Sequence, residues 1–336
     1  MKKLFITLVV ALMCATMSFA QSTLVATLTH GDEITMFYGT WALRDAHNAA
    51  VSGDIINLSG GAFQISEITK AITLRGTGID AQNPTYIITY FNIDIPTTDT
   101  GRLSMEGVRC TKTITIKGTL NKAYFLKCQF STLSCSGSDV VIDNVMFANC
   151  KITDQCYMSA SKNTMQFINS YVSAFSNNSG PSSSAIFVNC VILPGVSGMT
   201  PENIVNSQFA NCIFYLTNGY YYYKSLSASS VATNCVAIGY TNMFNQSPSN
   251  TNCKTSGYEE LFKDFTGTYT DDQTFELKDE AKSQFLGTDG TEVGMHGGVL
   301  PYDTTPSYPQ ITKMNVANKT TADGKLSVEI EVSAAE

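Results

Sequence analysis

The chain has 336 residues, 15% of them charged, and its formal net charge at pH 7 is −7. A weakly charged, acidic chain offers no basic field to a nucleic-acid partner, which excludes that class of function. Beyond the first twenty residues no stretch is apolar over the length of a bilayer, so we expect no membrane span.

The first twenty residues are typical of an export signal. Lys2 and Lys3 precede an apolar stretch at 4–17, and Ser18-Phe19-Ala20 is a small-x-small cleavage site. A lipid anchor on Cys14 is disfavoured because bulky Met13 precedes it. Cleavage removes two lysines and changes the charge from −7 to −9. We predict an exported protein of the periplasm, cell surface or extracellular space.

After a weakly alternating stretch at 24–37, the mature chain has one clear helical segment at about 40–52. Thr40 is placed to cap its start and Gly53 to end it. Its predicted apolar face consists of Trp41, Ala42, Ala46, Ala49 and Ala50. Predicted strands at 54–58 and 71–75 follow, each ending at a glycine-rich turn.

From Arg109 to Val236 one short phrase returns at steps of 18, 22, 20, 20, 22 and 23 residues. Its copies are Arg109-Cys110, Lys127-Cys128, Asn149-Cys150, Asn169-Ser170, Asn189-Cys190, Asn211-Cys212 and Asn234-Cys235. The positions two before and two after the Cys or Ser are almost all apolar, as on one buried strand face. A near-constant period of this size indicates a stacked repeat, or solenoid.

The run ALRDAHNAAVSGDIINLSGGAF, followed by ITLRGTG, resembles the start of a right-handed parallel β-helix of the pectate-lyase-like type. The resemblance extends over about 25–300. It implies an all-β domain at 21–300, with a capping helix at about 40–52, rungs at about 54–256 and looser coils at 257–300. It fixes no function, because such proteins include lyases, hydrolases, adhesins and inert spikes.

Without Cys14 the chain has nine cysteines. Six of them, including Cys110, lie on the repeat, which favours a column of free thiols packed as small hydrophobes. Export permits disulfides, so a bridged framework is the alternative. Cys135, Cys156 and Cys253 lie off the predicted column, and their pairing stays open.

Residues 301–336 are predicted to form a proline-containing linker and a β-hairpin tail around Asp323-Gly324. A lone hairpin with one apolar face is marginally stable in water. It is therefore expected to dock on the helix or to pair with a partner protein.

Catalysis of the usual kinds on this fold needs converging carboxylates and a base. Between Gly107 and Gly257 the only acids are Asp139, Asp143, Asp154 and Glu202. His30, His47 and His296 are far apart in sequence and none lies near a cysteine cluster, which disfavours zinc. We therefore predict no catalytic residue, no metal and no cofactor.

The most suggestive surface feature is an aromatic run of Tyr220, Tyr221, Tyr222, Tyr223 and Lys224. Flat rings with a polar tip suit sugar faces and protein partners, so we predict ligand binding here. The leading hypothesis is a non-catalytic protein that binds a glycan or a protein partner. The alternatives are a lyase or glycoside hydrolase acting on an acidic polysaccharide, and a structural or adhesive spike.

Overall fold

The computed structural model describes residues 24–177, 183–194, 204–215, 226–239, 242–245, 249–265, 268–316, 323–325 and 327–333. Over these residues the chain is an all-β parallel solenoid of about eight turns, so the predicted stacking of coils is confirmed. Its helices are α1 (Ala42–Ala49), α2 (Tyr258–Leu261) and α3 (Asp279–Gln284). Its strands are β1 (Val25–His30), β2 (Glu33–Tyr38), β3 (Ile55–Leu58), β4 (Gly61–Phe63), β5 (Glu67–Ile68), β6 (Thr73–Arg75), β7 (Thr85–Ile87), β8 (Phe91–Ile93), β9 (Leu103–Glu106), β10 (Val108–Ile116), β11 (Thr119–Leu126), β12 (Gln129–Ala148), β13 (Lys151–Ile168), β14 (Tyr171–Asn177), β15 (Ala185–Val188), β16 (Val191–Pro194), β17 (Ser207–Ala210), β18 (Ile213–Tyr215), β19 (Val231–Thr233), β20 (Val236–Ile238), β21 (Lys254–Ser256), β22 (Gln310–Val316) and β23 (Val328–Ser333).

Three parallel ladders run along the solenoid, and the residues aligned in each define it. Ladder A aligns Arg109, Gln129, Lys151, Tyr171, Val191, Ile213, Val236 and Lys254. Ladder B aligns Glu67, Asn92, Thr115, Ser134, Tyr157 and Ser176. Ladder C aligns Leu74, Met105, Phe125, Phe147, Phe167, Phe187, Phe209 and Ala232. Alternate residues of a strand point inward and outward, so each ladder also has an outer face, called face A, face B or face C below.

The interior of ladder C is a column of phenylalanine rings. Phe125, Phe147, Phe167, Phe187 and Phe209 stack with centroid separations of 4.5 to 4.9 Å. This spacing is the distance between neighbouring strands, so equivalent side chains meet at the van der Waals distance of stacked rings. The column therefore ties consecutive turns together.

Every turn changes direction at a corner residue in the left-handed conformation. These residues have φ between 46° and 67° and are Gly107, Lys127, Asn149, Asn169, Asn189, Asn211, Asn234 and Asn252. Asparagine recurs there because it tolerates this region better than other residues with a Cβ, and glycine because it has none. The geometry of the bend thus explains the first member of the repeated phrase.

The register of the repeat differs from the prediction at both ends. Arg109 aligns with Gln129 and Cys110 with Phe130, so the copy at the start of the stack is Gly107-Val108 and not Arg109-Cys110. At the other end Val236 aligns with Lys254, which places Asn252-Cys253 in the column. Cys110 is buried off the thiol column, and Cys253 belongs to it.

The column thiols repeat one hydrogen-bond pattern. The Cys150 thiol donates to the carbonyl of Ala148 at 3.3 Å and to that of Phe125 one turn back at 3.4 Å. The Ser170 hydroxyl makes the corresponding bond to Ile168 at 2.7 Å, which explains the substitution. All nine cysteines of the described residues are free, and Cys135 and Cys156 align with Met158 and Leu133 rather than with each other.

Thiol labelling of the native protein is expected to modify Cys253 alone. Burial raises the pKa of the Cys150 thiol to about 12 and raises those of Cys128 and Cys212 as well, and thiols are reactive as thiolates. A hydrogen bond with Cys235 raises the pKa of the Cys253 thiol as well, but Cys253 is the one described cysteine that is only half-buried, so a reagent can reach it. We expect one maleimide per chain in native buffer, all nine thiols labelled after non-reducing denaturation, and no native labelling of Cys253→Ser. Fewer than nine labels on denaturation would reveal disulfides.

The N-terminal end of the stack is formed by β1, β2 and α1. β1 pairs antiparallel with both β2 and β3, and α1 contacts all three strands. Contrary to prediction, the helix has Trp41 at its N-cap position and no side-chain cap from Thr40. Its buried face consists of Ala42, Leu43, Ala46 and His47, whereas Trp41 and Ala49 are exposed. The buried face of the helix therefore includes His47 and differs from the predicted apolar face.

Stability is expected to fall between pH 6.5 and about 4 because of His47. Its Nε2 accepts the Thr69 backbone N–H at 3.1 Å, and burial, assisted by the Lys70 ammonium, lowers the pKa of His47 to about 4. The unfolded chain therefore takes up this proton first as the pH falls, which favours unfolding. Urea unfolding at pH 7 and pH 4.5 checks this: His47→Gln should lose less stability than the wild type over that interval. An identical loss would contradict it.

Residues 257–300, for which looser coils were predicted, lie instead against face A. Their apolar side chains pack on Tyr171, Val191, Ile213, Tyr215 and Val236 of the solenoid. They form a second hydrophobic core outside the stack, contributed by Leu261, Phe262, Phe265, Phe275, Leu277, Ala281, Phe285, Val293 and Met295. The C-terminal segment thereby covers the apolar part of face A.

Residues 285–308, called the strap here, run back along the corner residues towards the N-terminal end. Asn234 Nδ2 donates to the Leu286 carbonyl at 3.4 Å, and Asn169 Nδ2 to the carbonyls of Met295 and Gly297 at 2.7 Å. Further on, Lys127 pairs with Asp303, Ser307 donates to the Glu106 carboxylate, and Tyr308 donates to the Gly76 carbonyl. Corner side chains thus bind the strap at several turns, although the buried Asn149 Oδ1 has no hydrogen-bond partner among the described residues.

Beyond the strap, β22 and β23 pair antiparallel as a separate two-stranded sheet. Val328, Ile330 and Val332 of β23 are each about half exposed, at 48 to 58%. Within the described part of the chain, no helix has both the length and the hydropathy needed to cross a bilayer.

Candidate functional site

A group of charged and polar side chains, called the anchor cluster here, lies where the C-terminal segment crosses face A. It comprises Arg109, Gln129, Lys151, Asp80, Asp271 and Tyr302. Arg109 contacts Asp80 at 3.2 Å and Asp271 at 3.9 Å, and Gln129 Nε2 donates to Asp271 Oδ1 at 3.2 Å. Lys151 Nζ donates to the carbonyls of Asp271 and Gln273, both at 3.2 Å, and lies 5.6 Å from the centroid of the Tyr302 ring.

The anchor cluster has the electrostatics of a site, but its charged donors are already used, and within the described residues only the buried Tyr302 hydroxyl of the cluster lacks a hydrogen-bond partner. Lys151 is 4% exposed, and burial lowers its pKa against the opposing effect of Asp80 and Asp271. Perturbed groups mark functional sites, and they also mark structural ion pairs. Here Lys151 and the Arg109 Nε bind backbone carbonyls of loops, which leaves little capacity for a ligand. The cluster therefore holds the C-terminal segment in place.

Among the described residues, the acids singled out in the repeat do not converge. Asp143 Oδ1 accepts from Lys162 at 3.1 Å and from Thr164 at 2.9 Å, and these bonds lower the pKa of Asp143. A carboxyl group held in its ionised form is unsuited to act as a general acid. Asp154 contacts Thr132 at 3.1 Å, Asp139 is exposed, and Glu202 lies outside the described residues.

Lys112, Lys117, Lys122 and Lys127 recur every five residues but do not form one basic strip. Lys127 is buried against the strap, whereas Lys112 is exposed and lies 5.9 Å from the centroid of the Tyr90 ring. Positive charge is therefore divided between an internal contact and separate surface positions.

Face B is the outer face that no described segment covers between Glu67 and Tyr157. Its half-exposed residues form two neighbouring columns. One column follows ladder B through Asn92, Thr115, Ser134 and Tyr157, and the other contains Thr113, Thr132 and Gln155. Tyr90, 68% exposed, precedes β8 and lies beside Lys112 at the edge of this second column. Tyr90 and Tyr157 are three strand steps apart, or about 14 Å.

Face B therefore presents hydroxyl and amide groups between two tyrosines on a parallel sheet. Sequence analysis missed both tyrosines, because each is isolated in the chain and only the stacking of turns brings them to one face. For Tyr157 the sequence did contain a signal, because this residue alternates with the buried residues Cys156 and Met158.

Two depressions lie beside the loop at 96–101. One has a volume of about 110 Å³ and is lined by residues that include Thr97, Thr119 and Lys122, and the other, of about 540 Å³, is widely open. The Asp99 carboxylate in this loop is used by the Ser52 hydroxyl at 2.7 Å and the Ala71 N–H at 2.9 Å. Neither depression encloses a small molecule as ligand pockets do.

The predicted binding run Tyr220, Tyr221, Tyr222, Tyr223 and Lys224 lies outside the described residues, so its role stays a prediction. Among the residues that are described, no three His, Cys, Asp or Glu side chains are grouped to hold a metal ion. His30 pairs with Asp54 at 2.7 Å, and His296 Nε2 is 2.8 Å from the Thr274 carbonyl.

Searches of family models, curated proteins and solved structures found no match to this chain. The function is therefore inferred from the arrangement of the chain's own faces.

Proposed function

We propose that this chain is an exported, non-catalytic, right-handed parallel β-helix protein of the pectate-lyase-like type that binds glycans at the cell surface or in the periplasm. The observation that carries the proposal is face B, an uncovered sheet surface with hydroxyls, amides and two separated tyrosines. Aromatic rings stack on the apolar faces of sugars, and neighbouring polar groups bond to their hydroxyls.

The charges around face B favour a neutral oligosaccharide over an acidic one. Glu67 and Asp154 are carboxylates at this face, and Lys112 is the cation nearest to Tyr90. A polyanionic sugar chain would meet no excess of positive charge here. The anchor cluster, which does contain arginine and lysine, is engaged with the C-terminal segment, and this argues against a lyase or hydrolase for acidic polysaccharides.

Glycan-array binding followed by titration calorimetry tests the proposal. Tyr157→Ala and Tyr90→Ala should each weaken binding of a neutral oligosaccharide by about tenfold, from the loss of one stacked ring. Tyr124→Ala is the matched control, because Tyr124 is also half exposed but points outward on face C.

Binding that survives both face B substitutions but is lost when Tyr220 to Tyr223 are changed to Ala would move the site to the aromatic run. Absence of binding to any glycan would favour the structural or adhesive spike. Product formation from an acidic polysaccharide, abolished by Lys151→Met, would restore the lyase alternative.

A further inference from the structure

At the N-terminal end of the solenoid, the described part of the chain has one apolar edge strand, β2, with a free hydrogen-bonding edge. Within the described residues β2 pairs with β1 alone. Ile34, Met36 and Tyr38 alternate along it, point to one side and are 52 to 65% exposed. A free edge with apolar side chains is a template for another strand, and natural edges normally avoid this composition.

A second apolar β element belongs to the same chain. β22 and β23 form an isolated two-stranded sheet, and Val328, Ile330 and Val332 occupy one side of β23 with about half of their surface exposed. Two strands alone are marginally stable, whereas a third strand and an apolar contact would stabilise them. The hairpin therefore has the free strand and the apolar surface that could pair with the free edge of β2.

The strap brings these two surfaces to the same end of the molecule. It ends with Tyr308 bonded to the carbonyl of Gly76, directly after β6, and β22 begins two residues later. β6 pairs with β3, β3 with β1 and β1 with β2. The hairpin thus starts about three strand spacings, or about 14 Å, from β2, and a seven-residue strand is about 23 Å long.

We infer that two copies of this chain associate through their N-terminal ends, with the hairpin of each copy on β2 of the other. One copy exposes both the free edge of β2 and a hairpin at one end, so a two-fold axis satisfies both pairs at once and closes the assembly. In the single chain the apolar side chains of β2 and β23 are exposed, so the two elements do not cover each other. A contact between β2 of one copy and the hairpin of a second copy would bury both surfaces. The inference is independent of glycan binding on face B.

Sedimentation velocity and light scattering of the full exported chain over a range of concentrations test the inference. The wild type should dimerise, and Met36→Lys or Ile330→Lys should each raise the dissociation constant at least tenfold. Val299→Lys is the matched control, because Val299 is a 91% exposed apolar residue of the strap and outside both surfaces. A wild type that stays monomeric, or a dimer that survives both substitutions, overturns the inference.

Cysteine crosslinking separates the second copy from the chain's own hairpin. In a Cys253→Ser background, a chain with Ile34→Cys is mixed with a chain with Ile330→Cys and oxidised mildly. A disulfide between the two chains supports the inference. No crosslink in the mixture, together with an internal disulfide when both cysteines are in one chain, shows that the chain's own hairpin covers β2 and overturns it.

Discussion

A chain that ends at Ser256 is expected to lose at least nine tenths of its soluble yield, because face A becomes an exposed apolar surface. Tyr171, Val191, Ile213, Tyr215 and Val236 are at most 2% exposed in the full chain and are covered by residues 257–300. Monomeric proteins rarely expose apolar patches larger than a few hundred Å², and larger ones lead to aggregation.

The truncation also removes a large part of the free energy that stabilises the fold. Leu261, Phe262, Phe265, Phe275, Leu277 and Phe285 are buried in the second core. At about 1.5–3 kcal/mol for each of these six buried side chains, their removal forfeits about 9–18 kcal/mol of apolar transfer free energy. This is comparable to the net stability of an ordinary domain, before the ordering entropy of the segment is subtracted.

A chain that ends at residue 309 is the matched control, because it keeps the second core and the strap and lacks only the hairpin. Soluble yield, binding of a hydrophobic dye and thermal melting compare the two truncations. We expect the longer chain to be soluble and to melt cooperatively. A soluble chain ending at Ser256 that binds no dye would show that the C-terminal segment is dispensable for folding.

The interior of the solenoid was predictable from sequence, since it depends on local periodicity. Alternation around the repeated phrase identified the buried thiols, and the rung at Asn169-Ser170 fitted because a hydroxyl makes the bond that a thiol makes elsewhere. The predicted register was wrong at Arg109-Cys110, because the chain has another cysteine three residues after the true corner at Gly107.

The outer layer was not predictable, because its contacts join residues far apart in the chain. Asn169 binds carbonyls 126 and 128 residues away, and Lys127 binds Asp303 at a separation of 176. No periodicity marks such pairs. The corner asparagines signalled a bend in the backbone, and their second role, binding the strap through their side-chain amides, required the fold.

The same limit applies to the candidate site. Residues that make face B, such as Asn92, Thr132 and Tyr157, are unremarkable in sequence and acquire meaning from their alignment across β8, β12 and β13. The contiguous run at Tyr220 was visible because its residues are neighbours in the chain. A cluster of residues that are neighbours in the chain can therefore be recognised in the sequence. The surfaces of a solenoid are formed by residues of different turns and cannot be recognised in this way.

Replacing Phe167 by alanine is expected to destabilise the protein by about 3–5 kcal/mol. Phe167 is fully buried and stacks between Phe147 at 4.9 Å and Phe187 at 4.8 Å. Its removal loses the transfer free energy of the ring and leaves a cavity, and parallel strands fixed on both sides prevent the neighbouring rings from closing it. Guanidinium unfolding followed by far-ultraviolet circular dichroism measures the loss.

The matched control is Tyr157→Ala in the same strand, β13, where the ring points out to face B. Its side chain is partly exposed and its removal leaves no internal cavity, so we expect a smaller loss, of about 1 kcal/mol. Because each turn of a solenoid contacts only its neighbours, the Phe167 cavity should also weaken the coupling between the two halves of the stack. A second unfolding transition in Phe167→Ala, absent from Tyr157→Ala, is the expected sign. A loss for Phe167→Ala as small as for the control would mean that the aromatic column does not hold the turns together.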